Sequence, residues 1–163
     1  MERLLVRGRA LYDGEDYLKD VPASLLLSKG RILGLGRDAE SAAGPEVEVL
    51  ECPGQTLMPG LIDCHNHLSL DPTLPDYLLR MNDPLPELTL RAVPLMAQDL
   101  LSGVTTSRCL GDKGFLDIHC RKAQAEGRLT GPRLQVATRG IRAPHGHGFV
   151  GYPFSGPEAI RTA

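Results

Sequence analysis

The chain has 163 residues, enough for one medium domain or two small ones. Hydrophobic residues make up 42% and charged residues 23%, the balance of a globular protein with a core. A net charge of −2, scattered Lys and Arg, and 4% aromatic residues with no Trp exclude a nucleic-acid surface, and no run of about 18 apolar residues marks a membrane span. The opening Met1-Glu2-Arg3 leads straight into an alternating pattern, so no signal peptide is expected. The four cysteines (Cys52, Cys64, Cys109, Cys120) form no CxxC, which predicts reduced thiols and a cytoplasmic location, with Cys64 as a core thiol.

The first third reads as short strands: Leu4-Leu5-Val6, Ala10-Leu11-Tyr12, and Ala23 to Leu27 paired with Ile32 to Gly36 across a tight turn at Ser28-Lys29-Gly30-Arg31. Val47 to Leu50 alternates again, so a small antiparallel sheet is expected, with no helix beyond a turn near Asp38-Ala39-Glu40. Gly34-Leu35-Gly36 resembles part of a dinucleotide fingerprint, but with no helix expected after it the reading is a hairpin strand with a close backbone approach. Thr56 to Asp63 is an apolar run broken by Pro59-Gly60 and reads as a strand buried on both faces. A Pro- and Asp-rich loop follows from Asp71 to Pro86.

Glu87 to Ser102 reads as a helix whose inner face carries Leu90, Val93, Ala97, Leu100 and Leu101, with Pro94 as an expected kink. Gly103 to Ser107 is a strand. Phe115 to Glu126 is a helix with an inner stripe of Leu116, Cys120 and Ala123. Leu134 to Thr138 is a strand, and Pro157 to Ala163 begins another helix. This alternation predicts an α/β fold with right-handed βαβ units and a parallel sheet.

Asp63-Cys64-His65-Asn66-His67 carries the chemistry. On a strand, residues i and i+2 share a face, so His65 and His67 project together, with Asp63 on the same side. Two imidazoles at this spacing suit one metal ion, each nitrogen about 2.0–2.1 Å from Zn²⁺. Catalytic groups collect at the C-terminal ends of strands in parallel barrels, and this strand ends here. His119, on the second helix, reads as structural.

Met58-Pro59-Gly60-Leu61-Ile62-Asp63-Cys64-His65-Asn66-His67 resembles the P-G-x-I-D-x-H-x-H signature of the amidohydrolase superfamily. Gly103-Val104-Thr105-Thr106-Ser107-Arg108, and the stretch Glu126 to Leu134 leading to Gly146-His147-Gly148, are similar to a branch holding imidazolonepropionase-like enzymes and Xaa-Pro or Xaa-Arg dipeptidases. The resemblance implies a (β/α)₈ TIM-type barrel with a small β-sandwich. Residues 1–55 would form the sandwich segment and residues 56–163 the first three βα units of the barrel. It implies His65 and His67 as ligands of one or two Zn²⁺ ions, Asp63 supporting them, and His147 near a small-molecule substrate. Arg108 either pairs a carboxylate or binds an anionic substrate group. The metal would activate a water to hydroxide for attack on a carbonyl in a C–N bond hydrolysis. The family's proton-shuttling Asp belongs to a later strand, so no catalytic residue is assigned here. Two departures are Cys109 after Arg108 and His145 before Gly146-His147.

A complete barrel takes roughly 250 residues. The chain therefore reads as incomplete and inactive alone, forming a homo-oligomer or needing a complementing C-terminal segment. The alternatives are a non-catalytic remnant or a split-enzyme subunit, and a binding module built on Met1 to Gly54.

Overall fold

The computed structural model describes residues 3–138, 140–146 and 153–162. The chain divides into two compact units, Met1–Pro59 and Gly60–Ala163.

In the first unit, strands β1 (Arg3–Arg7), β2 (Ala10–Leu11), β3 (Ser24–Ser28), β4 (Arg31–Leu35), β5 (Glu48–Glu51) and β6 (Thr56–Leu57) surround one helix, α1 (Gly36–Ala43). The main sheet has the order β4-β3-β1-β5. The expected β3–β4 hairpin forms, and β1 pairs antiparallel to β3, but β5 joins β1 in parallel, so the sheet is mixed. β6, expected to continue into the His-containing strand, pairs instead in parallel with β2.

The helix α1 corrects the expectation of a mere turn. Its Ala39 and Ala43 lie four residues apart on one face and pack on Leu5 and Leu26 of the sheet. Gly36 makes the strand-to-helix passage at φ +58°, where a side chain would be strained, and a Cβ there would sit 3.3 Å from Val21. A helix thus follows Gly34-Leu35-Gly36 after all, but it lies beside antiparallel strands and is no dinucleotide βαβ unit. Glu40 of α1 takes both Nε and Nη2 of Arg7 (2.9 and 2.7 Å) and the hydroxyl of buried Ser24, which ties helix to sheet.

The second unit follows the predicted alternation. β7 (Leu61–Asn66), α2 (Leu85–Leu101), β8 (Val104–Cys109), α3 (Leu116–Ala125), β9 (Arg133–Val136) and α4 (Gly156–Arg161) succeed one another, with short 3₁₀ turns at Leu79–Asn82 and Lys113–Phe115. The sheet β7-β8-β9 is parallel throughout. Gly60 opens β7 where the backbone passes so close to Thr105 that a Cβ would fall within 2.7 Å of its side-chain atoms, so only glycine fits. The core joins Leu68, Leu88, Ala92, Met96, Cys109, Leu116, Cys120 and Leu134.

Two expectations fail here, the inner face of α2 and the burial of β7. The inner face of α2 is Leu88, Ala92 and Met96, while Leu90 and Leu101 are 75% and 88% exposed. The helix carries two apolar stripes, and periodicity alone chose the wrong one. Pro94, where a kink or an interruption was expected, lies within one continuous α2 on its exposed side. β7 is not buried on both faces: Leu61 and Ile62 are exposed, and among the described residues β7 pairs with β8 as an edge strand.

Candidate functional site

His65 lies in β7 and His67 just beyond its end. Their ring centroids are 5.5 Å apart and the planes meet at 69°, so the two imidazoles leave the strand on one side, edge to face. Asn66 between them takes the other direction. Its Nδ2 donates to Asp99 Oδ2 of α2 (3.1 Å) and to Ser107 Oγ of β8 (2.8 Å). Anchoring the middle residue toward the helix sets the flanking histidines on the opposite face. Burial pushes the Asp99 carboxyl up against the opposing hydrogen bond from Asn66, with Asp63 adding a like charge.

Asp63 departs from the simple alternation. It stands opposite Ser107, whereas Asn66 stands opposite Cys109, so β7 carries one more residue than β8 across this stretch. The bulge breaks the period of two between Asp63 and the histidines. The Asp63 carboxylate accepts the backbone N–H of His65 at 2.9 Å.

The imidazole of His67 meets a backbone group, with Nδ1 2.7 Å from the carbonyl oxygen of Gly111. A carbonyl can only accept, so Nδ1 carries the proton, and a neutral ring in this position has its lone pair on Nε2. That tautomer offers Nε2 to a metal. Two rings bound tetrahedrally to one ion through nitrogens at about 2.1 Å would have centroids about 5.3 Å apart, near the observed separation. The pair therefore fits a shared ion. Among the described residues, however, no group of three or more His, Cys, Asp or Glu could hold a metal.

Sequence reasoning missed the carboxylates that shape this end of the sheet. Asp112, 2% exposed, accepts the N–H of Leu68 (3.1 Å), the N–H of Ser69 (3.3 Å) and the Ser69 hydroxyl (3.0 Å). Burial raises its pKa, while those donors and nearby His67 favour the anion. Asp117, fully buried at the start of α3, accepts the N–H groups of Ile118 and Thr138, both at 2.9 Å. The available signal was Gly111-Asp112 just past the end of β8, at the same end of the sheet as His67.

Of the other predicted residues, Arg108 is exposed on β8 between buried Ser107 and Cys109 and makes no ion pair with a described residue. His147 lies outside the described residues. Cys64 is exposed, which corrects its reading as a core thiol; the buried thiols are Cys109 and Cys120, pushed by burial up to about 12 and about 11. His119 is exposed and lines an apolar groove of about 420 Å³ between α2 and α3, which none of Asp63, His65 and His67 borders.

No family model matches the chain. It is 44% identical over 64 residues to an N-substituted formamide deformylase of Arthrobacter pascens, covering 38% of this chain and 12% of the relative. It is 41% identical over 59 residues to an imidazolonepropionase of Colwellia psychrerythraea, covering 33% and 14%. An adenine deaminase of a Ruegeria species matches at 30% over 111 residues, covering 68% and 17%. The chain thus spans less than a fifth of the length of these relatives. Among solved structures, a prolidase complexed with N-methylphosphonate-L-proline superposes with a TM-score of 0.78 at 20% identity, and an amidohydrolase with 0.72 at 28% identity; each alignment covers 98% of this chain and 42% of the other. The fold is that of a mixed α/β protein built like these enzymes. These likenesses support the amidohydrolase superfamily, and what the chain resembles is the N-terminal portion of these relatives.

Proposed function

We propose that this chain is the metal-holding N-terminal part of a hydrolase acting on a C–N bond of a small molecule, a cyclic amide or a dipeptide. Residues 1–55 would be its β-sandwich segment and residues 56–163 the first three βα units of a (β/α)₈ barrel. The observation that carries this reading is the His65–His67 pair, edge to face at 5.5 Å beside the end of a parallel strand, with His67 holding its Nδ1 proton toward Gly111. The names of the relatives support it: a deformylase, an imidazolonepropionase, a deaminase and a prolidase.

In this reading His65 and His67 are two ligands of a Zn²⁺ ion, with a second ion as an option of the same site. Bound there, zinc would supply Lewis-acid activation of water and of the substrate carbonyl. Asp63 steadies the His65 backbone, Asn66 sets the direction of both imidazoles, and Arg108 and His147 contact substrate. The exposed Leu61 and Ile62 on edge strand β7 support a further reading that a second copy or a complementing C-terminal segment covers them. The free cysteines support a cytoplasmic location.

Zinc titration of the full chain, followed by calorimetry, tests this. The wild type should bind zinc saturably, and His65→Ala with His67→Ala should abolish that binding. A correctly folded wild type that takes up no zinc, or a double variant that binds as well, would sink the proposal.

A further inference from the structure

Leu110, Gly111 and Asp112 grip residues 66–69 almost one for one. The Leu110 N–H donates to the Asn66 carbonyl at 2.9 Å. The Gly111 carbonyl accepts Nδ1–H of His67 at 2.7 Å. The Asp112 carboxylate accepts both N–H groups of Leu68 and Ser69 and the Ser69 hydroxyl. The Asp112 N–H in turn reaches the Thr138 carbonyl after β9, at 3.4 Å.

We propose that Asp112 is a positioning residue for His67, closing the turn after β7 so that the Gly111 carbonyl can hold the imidazole in its Nδ1–H form with Nε2 free. The proposal rests on the reading of His67 as a ligand only for its consequence on zinc; the clasp itself is a statement about geometry. The reason for an acid at this position is the number of donors. Three donors converge on two carboxylate oxygens, Leu68 on Oδ2 and both Ser69 groups on Oδ1. An asparagine would offer one acceptor oxygen and turn an NH₂ group onto an N–H. The turn would then open, and His67 would lose the backbone partner that selects its tautomer.

The measurement is long-range ¹⁵N–¹H NMR of the imidazoles in the full, metal-free chain. In the wild type, His67 should show a protonated Nδ1 and a bare Nε2. In Asp112→Asn it should become a tautomer mixture, while His65 stays as before. Zinc affinity should fall about 10- to 100-fold in the same variant, the usual size of losing a ligand's supporting hydrogen bond. Ser69→Ala, which removes one donor and leaves the acid, should keep the wild-type tautomer. A wild-type His67 protonated on Nε2, or an Asp112→Asn chain with unchanged tautomer, would overturn the proposal. Should Asp112→Asn not fold, the wild-type tautomer and slow hydrogen exchange of the Leu68 and Ser69 amides decide, and fast exchange of both overturns it. A wild type that ignores zinc but shows the tautomer and its loss in Asp112→Asn removes the metal reading and leaves the clasp standing.

Discussion

Replacing Arg91 by Ala should loosen the long segment between β7 and α2. Arg91 reaches out from α2, with only 11% of its side chain exposed, and its Nη2 lies 2.5 Å from Asp83 Oδ2, itself 15% exposed. Its Nη1 also donates to the carbonyls of Arg80 (3.1 Å) and Ser69 (3.4 Å). Removing one partner of a buried ion pair costs about 3–5 kcal/mol. Here Arg80 remains beside Asp83 at 3.3 Å as a substitute counter-ion, though it is half exposed. Such an exposed pair offsets only about 0–1 kcal/mol. The expected loss is therefore about 2–5 kcal/mol, which for a unit of this size lowers Tm by roughly 10–20 °C. Arg91→Lys keeps the charge but not the fork and should lose about 1–2 kcal/mol. Urea unfolding followed by circular dichroism measures each value, with an unchanged slope against urea as the check on two-state behaviour. An Arg91→Ala chain as stable as wild type, or an Arg80→Ala chain equally weakened, would refute the assignment of the clamp to Arg91.

The two apolar stripes of α2 make opposite predictions. Leu88→Ala, in the core, should destabilise by about 2–5 kcal/mol, whereas Leu90→Ala, 75% exposed, should stay within about 0.5 kcal/mol of wild type by the same unfolding assay. A Leu90→Ala loss as large as that of Leu88→Ala would refute this assignment of the buried face. In the first unit, the Arg7 guanidinium and the Ser24 hydroxyl hold the Glu40 carboxyl well below its ordinary 4.5, at about 2. A depressed carboxylate stabilises the fold above its unfolded value and loses that contribution as the pH falls through its folded one. The stability gap between wild type and Glu40→Gln should accordingly be full at neutral pH, shrink below 4.5 and vanish near 2. A gap that is constant over this range would show that Glu40 acts through packing alone.

The βα alternation of the second unit was legible because its strands and helices are long enough to show their period and are bounded by Gly and Pro, as at Gly103 and Gly127. The His-x-His pair was legible because two residues apart on a strand is a local geometric fact. Helix α1 was not, since its eight residues rest on Ala39 and Ala43 against a sheet made from distant segments. The parallel entry of β5 beside β1 was equally hidden, because strand partners are set by long-range pairing.

What the sequence determined by itself was the pair of imidazoles, the order of elements around them and the superfamily they resemble, all carried by short local stretches of chain. The tertiary structure alone decided which stripe of α2 faces the core, where the bulge displaces Asp63 from the period of two, and that Gly111 and Asp112, 44 residues away from His67 and Leu68, meet them. The physical reason is the same in each case. Hydrogen bonds and burial are satisfied by whichever groups the fold brings within reach, and that reach depends on contacts far apart in sequence.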